Sequence, residues 1–305
     1  MNQYFSWNGE DISRYILGTA QLGFDYGIAN RDGQPDQKKA DSIVRSAWNA
    51  GARTFDTARA YGMSESVLGR SLKLNGYAGD SKIITKISPV HGCSDYSWVR
   101  NSISASLESL GVPSLWAVLL HSYDMIDDWE SGLGDELLRL KAAKMIRYLG
   151  VSVYTSKEVE RLIDHPDIDI IQAPCNMWSP ELITDGILET ALEMKKLILI
   201  RSIFLQGLLI MSPEQVKLRL PQAYEASLVW NEFLAESGMG AWDICMRFAG
   251  SLEVPVIMGA ENENQALTNG RFLDINPLDV NDIQEISERI KPYLSESVVN
   301  PTKWR

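Results

Sequence analysis

The sequence predicts an α/β fold, a closed (β/α)8 TIM barrel in a single domain over residues 1–305. Short apolar runs of the kind found in buried parallel strands alternate with longer segments whose apolar residues recur at helical spacing. There are eight such runs, and no linker rich in proline, glycine or serine divides the chain. Eight alternating units close a barrel. The predicted strands begin at Tyr15, Arg53, Lys82, Leu115, Ile146, Ile168, Leu197 and Val254.

Helical patterns fill the intervals between these runs. The first helix starts at Asp36, directly after Pro35, and Gly51 ends it. A second starts at Ser64, and a third carries apolar residues from Val99 to Leu110. Further patterns lie at Leu137–Ala142, Ser156–Ile163 and Ile183–Met194. Patterns around Ala223–Ala235 and Trp242–Phe248 predict extra helices before the last strand, and we expect others at the C-terminus.

The composition excludes several classes of protein. A net charge of −11 argues against a surface for nucleic acid or an anionic membrane, which needs basic patches. The cysteines are isolated, so neither a disulfide framework nor a cysteine-rich zinc site is indicated. The N-terminus lacks an export signal and no apolar run is long enough to cross a bilayer. We expect a cytoplasmic protein, a monomer or weak homo-oligomer. The cysteines are Cys93, Cys175 and Cys245.

Four reactive side chains stand at the ends of consecutive predicted strands. Asp56 and Tyr61 lie in the segment Asp56–Gly62 after the second strand, Lys86 ends the third, and His121 follows the fourth. Each alone has an ordinary explanation, such as a turn cap, a core tyrosine, a solvated lysine or an interior histidine. The carboxyl ends of parallel strands meet at one face of a barrel, where barrel enzymes keep their active sites. The four together therefore predict one catalytic site.

The residue types indicate acid catalysis by a phenol. A phenol with a pKa near 10 is a poor proton donor at neutral pH unless a nearby cation lowers that value. We expect Lys86 to supply the cation, Asp56 to hold the lysine charged, and His121 to hydrogen-bond the substrate oxygen. A barrel aldolase, with Lys86 as Schiff-base nucleophile, is the competing chemistry. The pairing with Asp56 argues against it, because a charged lysine is a poor nucleophile.

These motifs resemble the aldo-keto reductase family, over a stretch from Leu17 to about Asn269. The segment Asp56–Gly69 resembles the family's signature after the second strand, and Lys86 and His121 match the rest of its catalytic tetrad. The resemblance implies an oxidoreductase that transfers a hydride between a nicotinamide cofactor and the carbonyl of an aldehyde, ketone or sugar, with Tyr61 as general acid. The alternative is a slow nicotinamide-binding sensor or accessory barrel.

The resemblance also implies where the cofactor binds. Ser152 and Gln172 match the positions that hold the nicotinamide carboxamide, and the segment Arg201–Leu209 matches the loop at the nicotinamide and pyrophosphate. The last strand and the following helix match the adenosine end. The complete set of expected cofactor contacts is Gly18, Thr19, Ala20, Tyr26, Asp56, Ser152, Gln172, Arg201, Ser202, Phe204, Gln206, Gly207, Gly259, Glu261, Gln265 and Asn269.

Three positions depart from the family pattern. Val153 replaces an Asn or Arg, Arg201 replaces an aromatic residue that commonly stacks on nicotinamide, and Glu261 stands where a basic or small polar residue often meets the 2′-phosphate. The resemblance implies NADP(H), whereas the Glu261 carboxylate makes NAD(H) plausible. There is no Gly-x-Gly-x-x-Gly, so a Rossmann site has no support.

Aromatic residues in the predicted top-face loops are candidates for the substrate pocket. Tyr26, Trp129 and Trp178 are the expected substrate contacts, with Phe24 beside them, although aromatic residues in loops often serve packing alone. A small-molecule carbonyl compound is the expected partner. We expect no metal requirement, because the histidines show no zinc-binding spacing. They are His91, His121 and His165.

Overall fold

The computed structural model describes residues 2–89 and 96–304. Eight parallel strands form a closed barrel in the order β10-β3-β4-β5-β6-β7-β8-β9, which confirms the predicted fold class. Parallel pairing between Val256 and Tyr15 joins the last strand to the first. The barrel strands are β3 (Tyr15–Gly18), β4 (Thr54–Asp56), β5 (Lys82–Ile87), β6 (Leu115–Leu120), β7 (Ile146–Ser152), β8 (Ile170–Pro174), β9 (Leu197–Arg201) and β10 (Val256–Gly259).

Five of the eight strands begin where the sequence predicts, and three begin later. The strand expected at Arg53 begins one residue on, and those expected at Ile168 and Val254 begin two residues on. Ile168 and Val254 are both buried, at 1% and 0% exposure. The apolar pattern records burial, and it therefore includes residues that pack in the core before the hydrogen-bonded ladder starts.

An antiparallel hairpin precedes the barrel and was not predicted. It consists of β1 (Tyr4–Trp7) and β2 (Glu10–Ser13), with Trp7 paired to Glu10. Asn8 and Gly9 form its turn, with φ angles of 49° and 75°. Two consecutive left-handed residues match the twist of the strands, and Asn-Gly is the sequence that favours them. The Asn8-Gly9 dipeptide is therefore the sequence feature from which the hairpin could have been predicted.

The helices lie outside the barrel, and α2 and α4 follow the expected pattern. Asp36 caps α2 by accepting a hydrogen bond from the Lys39 backbone at 2.8 Å. The predicted Ile183–Met194 helix is two helices, because Gly186 adopts a left-handed φ of 71°. The helices are α1 (Ala20–Gly23), α2 (Gln37–Asn49), α3 (Ser64–Asn75), α4 (Ser97–Leu110), α5 (Gly134–Ala142), α6 (Ser156–Leu162), α7 (Glu181–Thr184), α8 (Ile187–Glu193), α9 (Pro213–Arg219), α10 (Tyr224–Ser237), α11 (Ala241–Ser251), α12 (Glu263–Asn269), α13 (Val280–Ile290) and α14 (Glu296–Val299).

Extra helices occur before the last strand and at the C-terminus, as expected, and α9 is one that was not predicted. Between β9 and β10 the chain forms α9 and α10 before the helix α11, and α13 and α14 follow α12 at the C-terminus. The C-terminal helix α13 packs against α10, with Ile283 and Ile286 buried. None of the helices in residues 2–89 and 96–304 has the length and apolar character needed to cross a membrane.

The N-terminal hairpin closes the end of the barrel at which the strands begin. Glu10 accepts hydrogen bonds from the Tyr148 hydroxyl at 2.6 Å and the Trp116 indole at 3.1 Å, and its carboxylate pairs with Arg147 at 2.7 Å. The Trp7 ring meets Tyr148 edge-on at 4.8 Å. These residues belong to the starts of β6 and β7. The opposite end, where the strands finish, carries the predicted catalytic residues.

Candidate active site

A buried ion pair joins the ends of β4 and β5. Lys86 Nζ donates to both carboxylate oxygens of Asp56, at 2.7 and 2.8 Å, and to the Thr57 carbonyl at 3.0 Å. Lys86 is 1% exposed and Asp56 4%. Gln172 of β8 donates to the same carboxylate at 2.7 Å. Burial lowers the pKa of Lys86, and the Asp56 charge opposes that shift. The carboxylate therefore holds the ammonium in one position.

The loop that carries Tyr61 is fixed by two glycines. Gly62 adopts a left-handed φ of 53°, and a Cβ there would lie 2.5 Å from the Gly23 carbonyl. A Cβ at Gly23 would overlap the Tyr61 backbone. A buried hydroxyl pair adds to the contact, because Thr19 Oγ1 lies 2.8 Å from Ser64 Oγ. The signature segment thus needs glycine so that the two loops can touch.

Tyr61 lies between the ion pair and a histidine. Lys86 Nζ is 5.0 Å from the centre of the Tyr61 ring, and the His121 ring meets it edge-on at 5.6 Å. Burial raises the pKa of Tyr61 above its ordinary value, the Asp56 charge raises it further, and the Arg201 guanidinium lowers it. Lys86 is the cation expected to lower this pKa, and the Arg201 guanidinium is a second cation that acts on the same phenol. Asp56 pairs with Lys86, whereas no carboxylate among the described residues pairs with Arg201.

His121 directly follows β6 and is uncharged at neutral pH. Burial, with the Lys86 and Arg201 charges, lowers the pKa of its imidazole to about 3. Its Nδ1 lies 3.1 Å from the Ser88 hydroxyl. When the hydroxyl donates to Nδ1, the ring proton stands on Nε2. The imidazole is then a neutral hydrogen-bond donor.

A cavity opens at this end of the barrel and reaches the ion pair. Asp56, Tyr61 and Gln172 line what we call its buried end, and Glu261 and Gln265 line its exposed end. All the expected cofactor contacts line this cavity except Ser152, which is buried and pairs with Gln172 in the sheet. Those lining it are Gly18, Thr19, Ala20, Tyr26, Asp56, Gln172, Arg201, Ser202, Phe204, Gln206, Gly207, Gly259, Glu261, Gln265 and Asn269.

The loop after β9 has an unusual backbone. Ser202, Leu205 and Gln206 have left-handed φ angles of 66°, 46° and 55°, and Gly207 follows at 91°. Left-handed non-glycine residues are uncommon, and clusters of them occur at functional sites. Within the loop the Leu205 and Gly207 N–H groups donate to the Ser202 and Phe204 carbonyls, each at 2.8 Å, so the turn is fixed by its own hydrogen bonds. Gly27 and Ala29 of the β3 loop pack over Gln206 and Gly207.

The exposed end of the cavity is acidic. Burial raises the pKa of Glu261, and the neighbouring Asp32 and Asp25 charges raise it further, against Lys39. Lys39 itself pairs with Asp32 at 3.1 Å. Excess negative charge therefore surrounds this part of the cavity.

The structure places two expected substrate contacts elsewhere. Trp129 and Trp178 are 5% and 1% exposed, and neither lines the cavity. Trp129 packs edge-on against His165, so the expectation of a pocket role for these tryptophans is corrected to core packing. Tyr26 does line the cavity, and burial raises its pKa to about 12. Phe24 lies beside both Tyr26 and Tyr61.

Sequence reasoning missed several residues of the cavity. Gln21, Ile210 and Trp242 line it, and a Cβ at Gly259 would meet the Gln21 amide at 2.5 Å. Gln21 lies two residues after Thr19, which is an expected cofactor contact, and its role could have been inferred from that position. Trp242 lies in the helix between the extra helices and β10, where nothing in the local pattern marks it.

The described residues hold no group of three or more His, Cys, Asp or Glu side chains that would bind a metal ion. Cys175 and Cys245 are free and buried. His91 and Cys93 lie outside the described residues.

Fold and site together define a class, a barrel with a Tyr-Lys-Asp-His cluster at the carboxyl ends of its strands. The family model "Aldo/keto reductase family" matches residues 14–291. The chain belongs to the aldo/keto reductase family, a family of NAD(P)H-dependent oxidoreductases.

Individual relatives agree with this assignment. The chain is 30% identical over 149 residues to aldo-keto reductase str7 of Strobilurus tenacellus, covering 48% of this chain and 43% of the relative. It thus spans less than half the length of the curated relatives it matches first. An aldo-keto reductase of Bacillus halodurans, solved in its holo form, superposes with a TM-score of 0.72 at 19% identity, covering 99% of this chain and 98% of that one. A glycerol dehydrogenase of Gluconobacter oxydans gives 0.71 at 20% identity, with 98% and 97% covered.

Proposed function

We propose that this chain, as one barrel domain, catalyses hydride transfer between a nicotinamide cofactor and the carbonyl carbon of an aldehyde, ketone or sugar. The observation that carries the proposal is the position of Tyr61, at the buried end of the cavity beside the Lys86–Asp56 pair and a neutral His121. The raised pKa of Tyr61 keeps the phenol protonated at neutral pH, and the Arg201 charge, which opposes that rise, favours release of the proton during reduction.

The lining of the cavity fits a nicotinamide dinucleotide. Gly18 and Gly259 pair across β3 and β10 and leave that part of the lining without side chains. The loop after β9 lines the cavity and matches the family segment at the pyrophosphate. Gln172 lines the buried end and, with Ser152 paired to it in the sheet, occupies the position that the family resemblance assigns to the carboxamide. When bound there, the nicotinamide supplies or accepts the hydride.

Each catalytic side chain has a distinct role in this mechanism. Tyr61 gives its proton to the substrate oxygen during reduction and takes one back during oxidation. Neutral His121 donates a hydrogen bond to the same oxygen and orients the carbonyl. Asp56 keeps Lys86 charged and fixed, 5.0 Å from the Tyr61 ring. Because both Asp56 oxygens bind the ammonium, Lys86 is a poor Schiff-base nucleophile, which disfavours the aldolase chemistry.

Substitution of Tyr61 by Phe tests the proposal. We expect Tyr61→Phe to bind reduced cofactor as the wild type does, because only the hydroxyl is lost, and to reduce aldehydes about 10²- to 10⁴-fold more slowly. Cofactor fluorescence measures binding, and the loss of reduced-nicotinamide absorbance with an aldehyde panel measures turnover. Tyr77→Phe, which removes a phenol stacked on Trp48 away from the cavity, is the control.

Two results would contradict this function. Turnover by Tyr61→Phe within threefold of the wild type would remove Tyr61 from the chemistry. A wild-type chain that binds the cofactor but reduces no member of the panel would instead favour the sensor or accessory role.

We further propose that the chain accepts NAD(H) at least comparably to NADP(H). Glu261 lines the exposed end of the cavity, with the Asp32 and Asp25 charges near it. A carboxylate accepts hydrogen bonds from a ribose 2′-hydroxyl, but it repels a 2′-phosphate. One such charge pair at about 5 Å costs roughly 3 kcal/mol at an effective dielectric constant of about 20, before salt screening.

Replacing Glu261 should therefore change the cofactor preference. We expect Glu261→Ser to tighten NADPH binding several-fold and to leave NADH binding unchanged or weaker, with Glu261→Arg showing a larger change. Dissociation constants of both reduced cofactors provide the measurement. Glu263→Ser removes an exposed carboxylate two residues away and serves as the control. A wild-type preference of a hundredfold for NADPH would show that Glu261 does not meet the ribose.

A further inference from the structure

Arg201 ends β9 and lines the cavity beside the catalytic groups. Its guanidinium donates to the Val153 carbonyl at 2.7 Å and to the Ser202 hydroxyl at 3.2 Å, and it lies over the Tyr154 ring at 4.6 Å. These contacts fix the side chain. None of the carboxylates in residues 2–89 and 96–304 lies within 4.0 Å of it, so the guanidinium has no neutralising partner there.

The direction of the side chain determines which part of a cofactor it meets. Val153, whose carbonyl binds the guanidinium, directly follows Ser152, and Ser152 pairs with Gln172. The guanidinium is thus held toward the end of β7, beside the residues suited to the carboxamide. Later residues of the loop after β9 lie elsewhere, because Gly207 faces Ala29 in the segment that follows β3. Arg201 is therefore a fixed cation at the buried end of the cavity, where the nicotinamide is proposed to bind.

The charge of Arg201 acts on the catalytic groups. It lowers the pKa values of Tyr61, Tyr26, Lys86 and His121. A cation opposes any further positive charge close to it, and at a half-buried site salt weakens that repulsion only in part. The two redox forms of nicotinamide differ in this respect, because the oxidised ring is cationic and the reduced ring is neutral.

We propose that Arg201 makes the site discriminate between the redox forms of its cofactor, so that it binds reduced nicotinamide in preference to oxidised nicotinamide. The inference rests on the proposed function. The remainder of the dinucleotide has the same charge in both forms, and its contacts cancel in the ratio of the two dissociation constants. A tenfold ratio corresponds to about 30 mV for a two-electron couple. On the enzyme, that shift favours alcohol oxidation.

Binding measurements on charge variants test the inference. Titrations with NADH and NAD⁺ give the ratio Kd(NAD⁺)/Kd(NADH), which we expect to be at least tenfold for the wild type, or about 1.4 kcal/mol. Arg201→Met keeps the aliphatic stem and should lower the ratio at least fivefold. Arg201→Lys keeps the charge and should keep the ratio within about twofold. Salt should lower the wild-type ratio and leave that of Arg201→Met unchanged.

The possible outcomes separate this inference from the proposed function. A ratio in Arg201→Met within twofold of the wild type overturns the inference, and equal weakening of both forms would assign Arg201 to the pyrophosphate. An unchanged ratio together with a raised KM for a carboxylate-bearing aldehyde, relative to a neutral one, would assign it to the substrate. If the wild type binds neither form, the proposed function itself fails. Should Arg201→Met not fold, Arg201→Gln and the salt series on the wild type decide the question.

Discussion

His121 lies where a charged imidazole is disfavoured, and this has a consequence for stability. The pKa of the folded protein's His121 is about 3, whereas an unfolded chain has a histidine pKa near 6.5. Above pH 6.5 both states are neutral. As the pH falls below that value, the unfolded chain gains a proton that the folded chain excludes, so stability decreases until about pH 3. At pH 5 the loss from this residue is about 2 kcal/mol.

Replacement of His121 by Asn should remove that loss. We expect the free energy of unfolding to fall between pH 7 and pH 5 by about 2 kcal/mol less in His121→Asn than in the wild type. Urea unfolding at the two pH values measures the difference, and the carboxylates common to both proteins cancel. Equal losses in the two proteins would mean that the folded state accepts the proton.

The sequence predicts strand-end residues better than loop residues. Asp56, Lys86 and His121 each end or follow an apolar run, and the geometry of a parallel barrel then brings them together. Trp129 and Trp178 lie in loops, where no periodicity specifies the direction of a side chain. Both were expected at the pocket and both are buried in the core. The contribution of Arg201 to the Tyr61 pKa was missed because it depends on which cations the fold brings near the phenol.

At the level of elements, α3 and α4 pack so closely that a glycine is required between them. A Cβ at Gly69 of α3 would lie 2.6 Å from the Leu110 carbonyl at the end of α4. Neither helix can yield easily, because α3 leads from the loop that holds Tyr61 and α4 ends at the left-handed Gly111. This contact lies on the outside of the barrel wall.

Gly69→Ala should therefore destabilise the protein. Overpacking typically costs about 1 to 3 kcal/mol, which exceeds the gain of up to about 1 kcal/mol from better helix propensity. Gly79→Ala is the matched control, because a Cβ there would meet nothing within 4 Å. We expect the control to stay within about 0.5 kcal/mol of the wild type. Thermal or urea unfolding of the three proteins measures both effects, and equal stability of the two variants would show that the helices move apart freely.

Elements differ in how well the sequence defines them. Caps such as Asp36 and Gly111 fix helix ends, because each satisfies backbone groups that the helix leaves open. The N-terminal hairpin was overlooked although Asn8-Gly9 favours a hairpin turn, because its strands are short and only partly buried. The division of Ile183–Met194 follows from Gly186, a residue that a helical pattern tolerates but does not favour.

At the level of the whole molecule, the alternation of strands and helices and the number of strands were sufficient to predict the closed barrel. Eight β/α units leave few topologies, and the closure of β10 on β3 follows once the strands are parallel and consecutive. What the alternation does not specify is how each end of the barrel is finished. Glu10 and its aromatic neighbours depend on contacts between segments more than a hundred residues apart, which no local pattern records.

The end of the barrel at which the strands begin is closed, and this predicts the order in which ligands bind. Because the hairpin around Glu10 covers that end and the cavity opens at the other, both ligands of the proposed reaction share one entrance. In that reaction the nicotinamide dinucleotide extends along the cavity lining to Tyr61. It must therefore bind first and leave last. We expect initial-rate measurements to show a compulsory order of binding, and excess carbonyl compound to inhibit because it occupies the entrance before the spent dinucleotide has left.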